Sequence, residues 1–557
     1  MIRDGDNEGL RKERGAFFTP SAIADFLADW AVLDQADAKV MDPTCGEAVF
    51  LLAAGRRLKA LGRDVSDLDE QLFGFDLHDT SLEWADKLLD DEGLDAHLQQ
   101  GDFFAVPTPD QLGSPVPEMD AIIGNPPFVR YQRHIGEARD RSKQAALRQG
   151  VRLSNLASSW AALLIHACGF LKPTGRLAMV LPAELLTVGY AEPVREWLKN
   201  RFEQVHLVMF DKLQFQGATE KVVLVLAAGD GGCDAFSLYY LNDGEDLAHV
   251  RPMSNHAAPV SDSGKWTDLL LPNRQRHLFR QVSSNLFTPL KTYGAPELGT
   301  VTGSNAFFAL TETTRREFGL SEAAGQVIKI CPPGTKHLTG LRFSTSAWAK
   351  LRDSGERVWL FRPDANDVSP SVTAYIHRGF KLGVNQAYKC TIRHPWWRPP
   401  AVPAPDLFFT YMSHRYPRLI TNSAGTTFLN SMHGLRLKDD VPDAARNALP
   451  LLAFNSVTML GAEIFGRSYG GGILKMEPRE AASLPVPPAG ALSAAWDLLG
   501  GKVRSIERSL QNGHWANVVT KIDQALLVET LGLSPGDVSS LQQAAQTLRT
   551  RRMGARA

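Results

Sequence analysis

Gly124-Asn125-Pro126-Pro127-Phe128 is the part of this 557-residue sequence best equipped for chemistry. It closes the apolar run Asp120–Ile123 with an amide, two prolines and an aromatic ring. The prolines fix φ, remove two N–H donors and favour extended conformations at Asn125 and Pro126. The Asn125 side-chain oxygen and the backbone carbonyl after it can then converge as two acceptors beside the plane of Phe128. Such a pair grips a planar amino group by both hydrogens while its ring is stacked. An exocyclic amine is a poor nucleophile because its lone pair is delocalised into the ring. Two acceptors draw the nitrogen towards tetrahedral geometry, and the localised lone pair can attack an electrophilic methyl group in line. No strongly basic residue is needed. The plain alternative is a strand-ending turn that packs a Phe.

Three further clusters follow strand-like runs. In Asp42-Pro-Thr-Cys-Gly46-Glu-Ala-Val-Phe50, a glycine turn before a helix lets a polar ligand approach backbone N–H groups, although a lone Gly there also serves as a simple tight turn. Asp76 ends Gly74-Phe75-Asp76, where a carboxylate can accept two ribose hydroxyls or merely cap the next helix. Gly101-Asp102-Phe103 supplies a carboxylate for an amino group and a ring to cover a base, unless Phe103 is core.

These residues need a scaffold of strands with helices on both faces. Strands are expected at Lys39–Met41, Gln71–Phe75, Ala96–Leu98, Asp120–Ile123, Arg176–Leu181, Gln204–Phe210 and Lys221–Ala227. Helices are expected at Ser21–Leu33, Ala48–Ala60, Thr80–Leu89, Leu156–Leu171 and Ala191–Asn200, giving an α/β, doubly wound, mainly parallel sheet. Ten residues between the last two strands are too few for a crossover helix, so that pair should form a final antiparallel hairpin. The Arg-rich stretch Val129–Asn155 interrupts the alternation, as a functional or disordered insertion does. The domains expected are 1–228, an irregular α/β domain at 235–488, and a helical tail at 489–557.

The net charge of −1 conceals an asymmetry. Residues 1–120 hold 10 basic and 26 acidic side chains, a balance of −16, and the remainder carries +15. An acidic front and a basic rear fit a protein with a polyanion on one side. Five scattered cysteines offer neither a disulfide frame nor zinc spacing, so no metal is expected and the compartment is read as reducing. The longest apolar run, Trp160–Leu171, is too short to span a bilayer.

Taken in order, Gly15-Ala-Phe-Phe-Thr19-Pro20, Asp42-Pro-Thr-Cys-Gly46, Asp76, Asp102 and Asn125-Pro-Pro-Phe128 resemble the gamma class of S-adenosylmethionine-dependent DNA amino-methyltransferases, the N6-adenine type of type II restriction–modification systems. The resemblance is close over the first 228 residues and loose to about residue 480. It implies the class I methyltransferase sheet, followed by a target-recognition domain, and S-adenosylmethionine as cofactor. Gly15–Pro20 would close over the cofactor, with Thr19 capping the following helix and Pro20 in its first position. Gly46 would lie against the methionine moiety, Asp42 would be among the cofactor-binding residues, Asp76 would bind the ribose, and Asp102 with Phe103 would hold the cofactor adenine. Asn125, Pro126, Pro127 and Phe128 would hold a target adenine flipped from duplex DNA, with Phe215 on its other side, although Phe210 lies near. Glu47 departs from the small residue usual after the motif glycine. Arg130, Arg133, Arg393 and Arg398 are candidate phosphate contacts. A separate cognate endonuclease, a monomeric state and a prokaryotic, nucleoid-associated cytoplasmic location complete the expectation. Cytosine N4 presents the same amine, and family order favours adenine. RNA or protein-glutamine methylation, or a catalytically dead DNA-specificity subunit, are the rival readings.

Overall fold

The computed structural model describes residues 19–129, 133, 135–210, 214, 222–250, 257–259, 265–469 and 472–553. The chain divides into two compact units, Met1–Leu270 and Leu271–Ala557.

In the first unit, α1 (Ser21–Val32) precedes β1 (Val40–Asp42), α2 (Val49–Ala60), β2 (Leu72–Asp76), α3 (Asp79–Asp90), β3 (His97–Gln100) and β4 (Met119–Gly124). Then come α4 (Gly136–Arg148), α5 (Ser159–Ala167), β5 (Leu171–Pro182), α6 (Glu192–Arg201), β6 (Phe202–Phe210), β7 (Val222–Asp230), β8 (Ala235–Leu241) and β9 (Ala257–Pro259). They form one sheet in the order β3-β2-β1-β4-β5-β7-β6-β8-β9. The first five of these are parallel, and β7 runs antiparallel to both β5 and β6. The doubly wound sheet with its reversed hairpin is therefore present. Successive residues of each inner strand feed opposite faces: Met41, Ile122, Leu177 and Met179 join one core, and Val40, Ile123, Ala178 and Val180 the other. Burial on both faces explains why these strands read as unbroken apolar runs. Asp120 ties the strand starts together, accepting from the Lys39 N–H at 2.9 Å and Lys172 Nζ at 2.7 Å.

Two features lie outside the expected pattern. Within the Arg-rich insertion, α4 buries only its small residues Ser142, Ala145 and Ala146, too narrow an apolar stripe to announce a helix. The sheet also continues past residue 228, because β8 pairs in parallel with β6 and β9 turns back on β8. The break between units thus falls at Leu270, later than the residue 228 end set by pattern.

The second unit holds a five-stranded sheet in the order Pro296–Leu298, His433–Leu435, Leu407–Phe409, Leu419–Asn422 and Arg342–Phe343, with smaller sheets beside it. Its core is aromatic: Phe307 stacks on Tyr375 at 4.7 Å, and Trp348 meets Trp359 edge-on at 5.1 Å. The helices beyond residue 488 belong to this unit. The last, Pro535–Met553, is clamped by a buried ion pair at 2.8 Å between Arg552 and Glu463 of helix Ser456–Phe465. No single helix among the described residues is long and apolar enough to cross a membrane.

Candidate active site

The C-terminal ends of β1, β2 and β4 converge, and each delivers one of the expected clusters. After β1 the chain turns through Pro43–Glu47. Asp42 Oδ1 accepts the Thr44 N–H at 3.0 Å, the Cys45 N–H reaches the Phe75 carbonyl at 2.7 Å, and the Gly46 N–H donates to Asp76 Oδ2 at 3.1 Å. Asp76 Oδ1 takes the His78 N–H at 2.8 Å, so one carboxylate pins the turns after both strands. Gly46 has φ +53°, and a Cβ placed there would have no neighbour within 4 Å. The turn therefore borders open space and demands glycine for its backbone. Asp42 is 1 % exposed, and its Oδ2 has no hydrogen-bond partner among the described residues. Burial, aided by the nearby Asp76 charge, pushes its pKa up to about 8.

Gly124 brings the β1 and β4 turns together, since a Cβ there would lie 2.8 Å from Asp42 Oδ1. Next along, Asn125 Nδ2 donates to Thr19 Oγ1 at 3.2 Å across 106 residues of sequence. Thr19 is buried and makes no cap for α1; Pro20 holds the cap position instead. The capping role expected of Thr19, with Pro20 inside the helix, is thus corrected by one residue: the hydroxyl faces the amide, not the helix. Asn125 Oδ1 makes no hydrogen bond among the described residues. Pro126 is buried and Phe128 half-buried against the cores on both faces of the sheet.

Ser159 at the start of α5 braces this turn. Its hydroxyl donates to the Pro127 carbonyl and accepts the Val129 N–H at 3.0 Å, and its own N–H donates to the Val129 carbonyl at 3.0 Å. Phe128 is therefore held from both sides. Nothing in Leu156-Ala-Ser-Ser-Trp160 distinguishes this serine from a helix-start residue, so the sequence carried no signal for it.

The third cluster departs from expectation. Phe103 is 4 % exposed, with its ring against Phe75, His166 and Phe170 at 5.0 to 5.3 Å, and its carbonyl takes a hydrogen bond from His166 Nε2 at 3.1 Å. Its ring is core rather than a cover for a base, because the turn after Asp102 drives it beneath the sheet. Asp102 Oδ1 accepts the Phe104 N–H at 3.1 Å, and Oδ2 pairs with Arg141 Nε of α4 at 3.0 Å. Arg141 belongs to the Arg-rich insertion Val129–Asn155, and nothing in the sequence signalled that it would meet Asp102.

The remaining arginines separate. Arg133 is exposed. Arg393 donates to the Val301 and Thr302 carbonyls at 3.0 and 3.1 Å, and Arg398 pairs with Asp364 at 3.4 Å. Arg393 thus braces backbone of the second unit, and Arg398 sits in a partly exposed ion pair. Arg130, Phe215 and Gly15–Phe18 lie outside the described residues. A cavity of about 900 Å3 lined by Asp25, Trp30, Arg176, Glu203 and His206 shares no residue with these turns. No His, Cys, Asp and Glu group among the described residues is arranged to hold a metal ion.

Residues 7–227 match the family described as N-6 DNA Methylase, and residues 263–527 match the C-terminal domain of Type II methyltransferase M.Eco57I. The chain is 24 % identical over 482 residues to Type II methyltransferase M.AccI of Acinetobacter calcoaceticus, covering 84 % of each. It is 23 % identical over 507 residues to Type II methyltransferase M.XamI of Xanthomonas campestris pv. amaranthicola, covering 86 % of this chain and 87 % of that one. Among solved structures, the Type IIL restriction-modification enzyme MmeI in complex with DNA shares the fold, with a TM-score of 0.55 at 13 % identity over 97 % of this chain and 75 % of its own.

Proposed function

We propose that this chain, an N6-adenine DNA methyltransferase of the Type II restriction–modification kind, methylates a flipped adenine through the turn Asn125–Phe128. The observation that carries the site assignment is the bond from Asn125 Nδ2 to Thr19 Oγ1, which commits the donor end of the amide and leaves Oδ1 to accept. Oδ1 takes an N–H of the adenine amino group, Pro126 and Pro127 keep the turn rigid, and Phe128 offers a ring face to the base. The backbone carbonyl after Asn125 takes the second N–H, and as the nitrogen becomes tetrahedral its lone pair localises on the side away from these two acceptors. Once methylated it is cationic and strongly acidic, and it releases its proton to water without a basic side chain.

S-adenosylmethionine is the cofactor of this reading, and it supplies the electrophilic methyl group. The residues fit it. The open space beside Gly46 admits a ligand to the backbone, the Asp76 carboxylate suits ribose hydroxyls, and the unpartnered Asp42 Oδ2 suits a polar group at the wall shared with Asn125. Asp102, paired with Arg141 through Oδ2, keeps lone pairs that accept from an adenine amino group. The first unit is the methyl-transfer half, and the second supplies DNA recognition. Duplex DNA, a separate cognate endonuclease and a monomeric enzyme complete the assignment. Extracting the base costs a few kcal/mol of stacking and pairing, which contacts from the more basic rear of the chain offset.

The test offers labelled S-adenosylmethionine with duplex DNA, RNA and protein in parallel, followed by nucleoside analysis. N6-methyladenine in DNA alone is the expected product; label confined to RNA or protein overturns the reading, and N4-methylcytosine replaces its target.

A further inference from the structure

From Val368 to Pro405 the chain has no Asp or Glu in 38 residues, yet it carries Arg378, Lys381, Lys389, Arg393 and Arg398 with His377 and His394. Carboxylates and basic residues are otherwise balanced, 61 against 60, so this is a local removal of negative charge. Arg393 donates to backbone carbonyls and Arg398 pairs with Asp364, as described above. Arg378 lies over the Phe318 and Tyr375 rings at 5.4 and 5.8 Å. Lys381 and Lys389 are exposed and form no ion pair among the described residues. Between and beside them stand apolar side chains that a soluble surface ordinarily hides: Phe380 is 50 % exposed, Leu382 62 %, Tyr388 71 % and Ile392 59 %.

These side chains are mounted rigidly. They sit on the end of α7 (Pro370–Lys381), on α8 (Tyr388–Thr391) and on the turn beyond it. Gly379 lies so close to Trp396 that a Cβ would come within 2.4 Å of the indole, and Phe380 meets Trp396 edge-on at 5.3 Å. Cys390 Sγ reaches the Thr302 carbonyl at 3.8 Å, and Arg393 holds the same strand of backbone. An apolar ridge with an exposed Lys381, a Lys389 ammonium 5.4 Å from the Tyr388 ring centroid and no carboxylate in its own segment is complementary to a polyanion whose grooves expose sugars and base edges.

We infer that Phe380, Lys381, Leu382, Tyr388, Lys389 and Ile392 form a DNA-docking surface of the second unit, the two lysines on phosphates and the Tyr388 ring in apolar contact with bases or sugars. The inference rests on the reading that the chain acts on DNA and names the part of it that grips the duplex. Its partner is the nucleic acid rather than a second copy, because a self-complementary patch would set like charges against one another.

Fluorescence anisotropy of the full chain with a labelled random-sequence duplex, over a salt series, tests it. The Lys381→Ala/Lys389→Ala double variant should lower the slope of log Kd against log salt by about 1.8, close to 0.9 per lost phosphate contact. Tyr388→Ala should weaken binding at least about fivefold at every salt concentration with the slope kept. Cofactor affinity by calorimetry should be unchanged in both, since the altered residues lie in the other unit. If the wild type methylates DNA but the variants keep its slope and affinity, this surface is not the docking site. If the wild type neither binds nor methylates any duplex, the underlying functional reading fails instead. If Tyr388→Ala converts a dimer to a monomer in sedimentation with the DNA slope unchanged, the occupant is a second copy and the inference is overturned.

Discussion

Asn125 Nδ2 and Thr19 Oγ1, 106 residues apart in sequence, lie 3.2 Å apart in the structure. An amide can present either end to a site; here the Thr19 hydroxyl accepts from the nitrogen, so Oδ1 is the end left over. Thr19 thus acts on chemistry through Asn125 and is a positioning residue. The same bond joins the segment before α1 to the turn after β4.

Removing that acceptor separates orientation from binding. Thr19→Val keeps the side chain's shape and leaves the amide free to rotate, so kcat is expected to fall about 10- to 100-fold, in line with the loss of well-oriented groups, with the cofactor Kd nearly unchanged. Thr19→Ser should restore most of the rate. Asn125→Ala should abolish methyl transfer while still binding cofactor; loss of both functions would remove Asn125 from its assigned role. Labelled-methyl kinetics and calorimetry read the two quantities.

Asp76→Ala should behave in the opposite way. The variant loses the carboxylate that accepts from the Gly46 and His78 N–H groups, and with it the ribose ligand of the proposed site. Cofactor affinity is expected to weaken by at least about tenfold, the loss of one charge-assisted hydrogen bond. An unaltered dissociation constant would exclude Asp76 from the ribose site.

The sites that could be read in the sequence were those whose residue types carry their geometry. Gly46, Asp76, Asn125 and the two prolines each restrict the backbone or a strand end, and all cluster at one edge of the sheet. Residues recruited by distance alone left no trace. Ser159 acts from the start of a later helix, and Arg141 belongs to a helix whose buried face is three small side chains. Phe103 and Arg393 show the reverse error. An aromatic after a motif Asp and an Arg in a basic cluster both suggest a ligand, yet one fills the core and the other ties three backbone carbonyls. Strands β1, β2 and β4 to β7 were legible because burial leaves mostly apolar runs, whereas β3 is a polar edge strand, His-Leu-Gln-Gln; β8 and β9 lay beyond a Gly-rich break and joined the sheet only by pairing.

Ser159→Ala tests the brace behind Phe128. The Pro127 carbonyl and the Val129 N–H both lose their side-chain partner. A stability loss of about 1–3 kcal/mol is expected for polar groups left unsatisfied in a part-buried turn, along with a lower kcat at constant cofactor affinity. Thermal or urea unfolding gives the first and methyl-transfer kinetics the second. A variant with the stability loss but the full rate would make Ser159 purely structural.

Asp42 gives a prediction in pH. Its native pKa of about 8 lies well above the ordinary carboxylate value, because ionising it would bury a charge whose Oδ2 has no partner. Between roughly pH 4 and 8 the native state therefore keeps a proton that the unfolded chain has lost. Stability must then fall as pH rises through this window, by up to about 1.4 kcal/mol per unit from this group, and level off above pH 8. Asp42→Asn preserves the acceptor for the Thr44 N–H and cannot ionise, so its stability curve should lack this fall and lie above that of the wild type at pH 8. Urea unfolding of both proteins from pH 4 to 9 measures the difference. Parallel curves would mean that Asp42 ionises normally and that its surroundings are wetter than the packing around Gly124 implies.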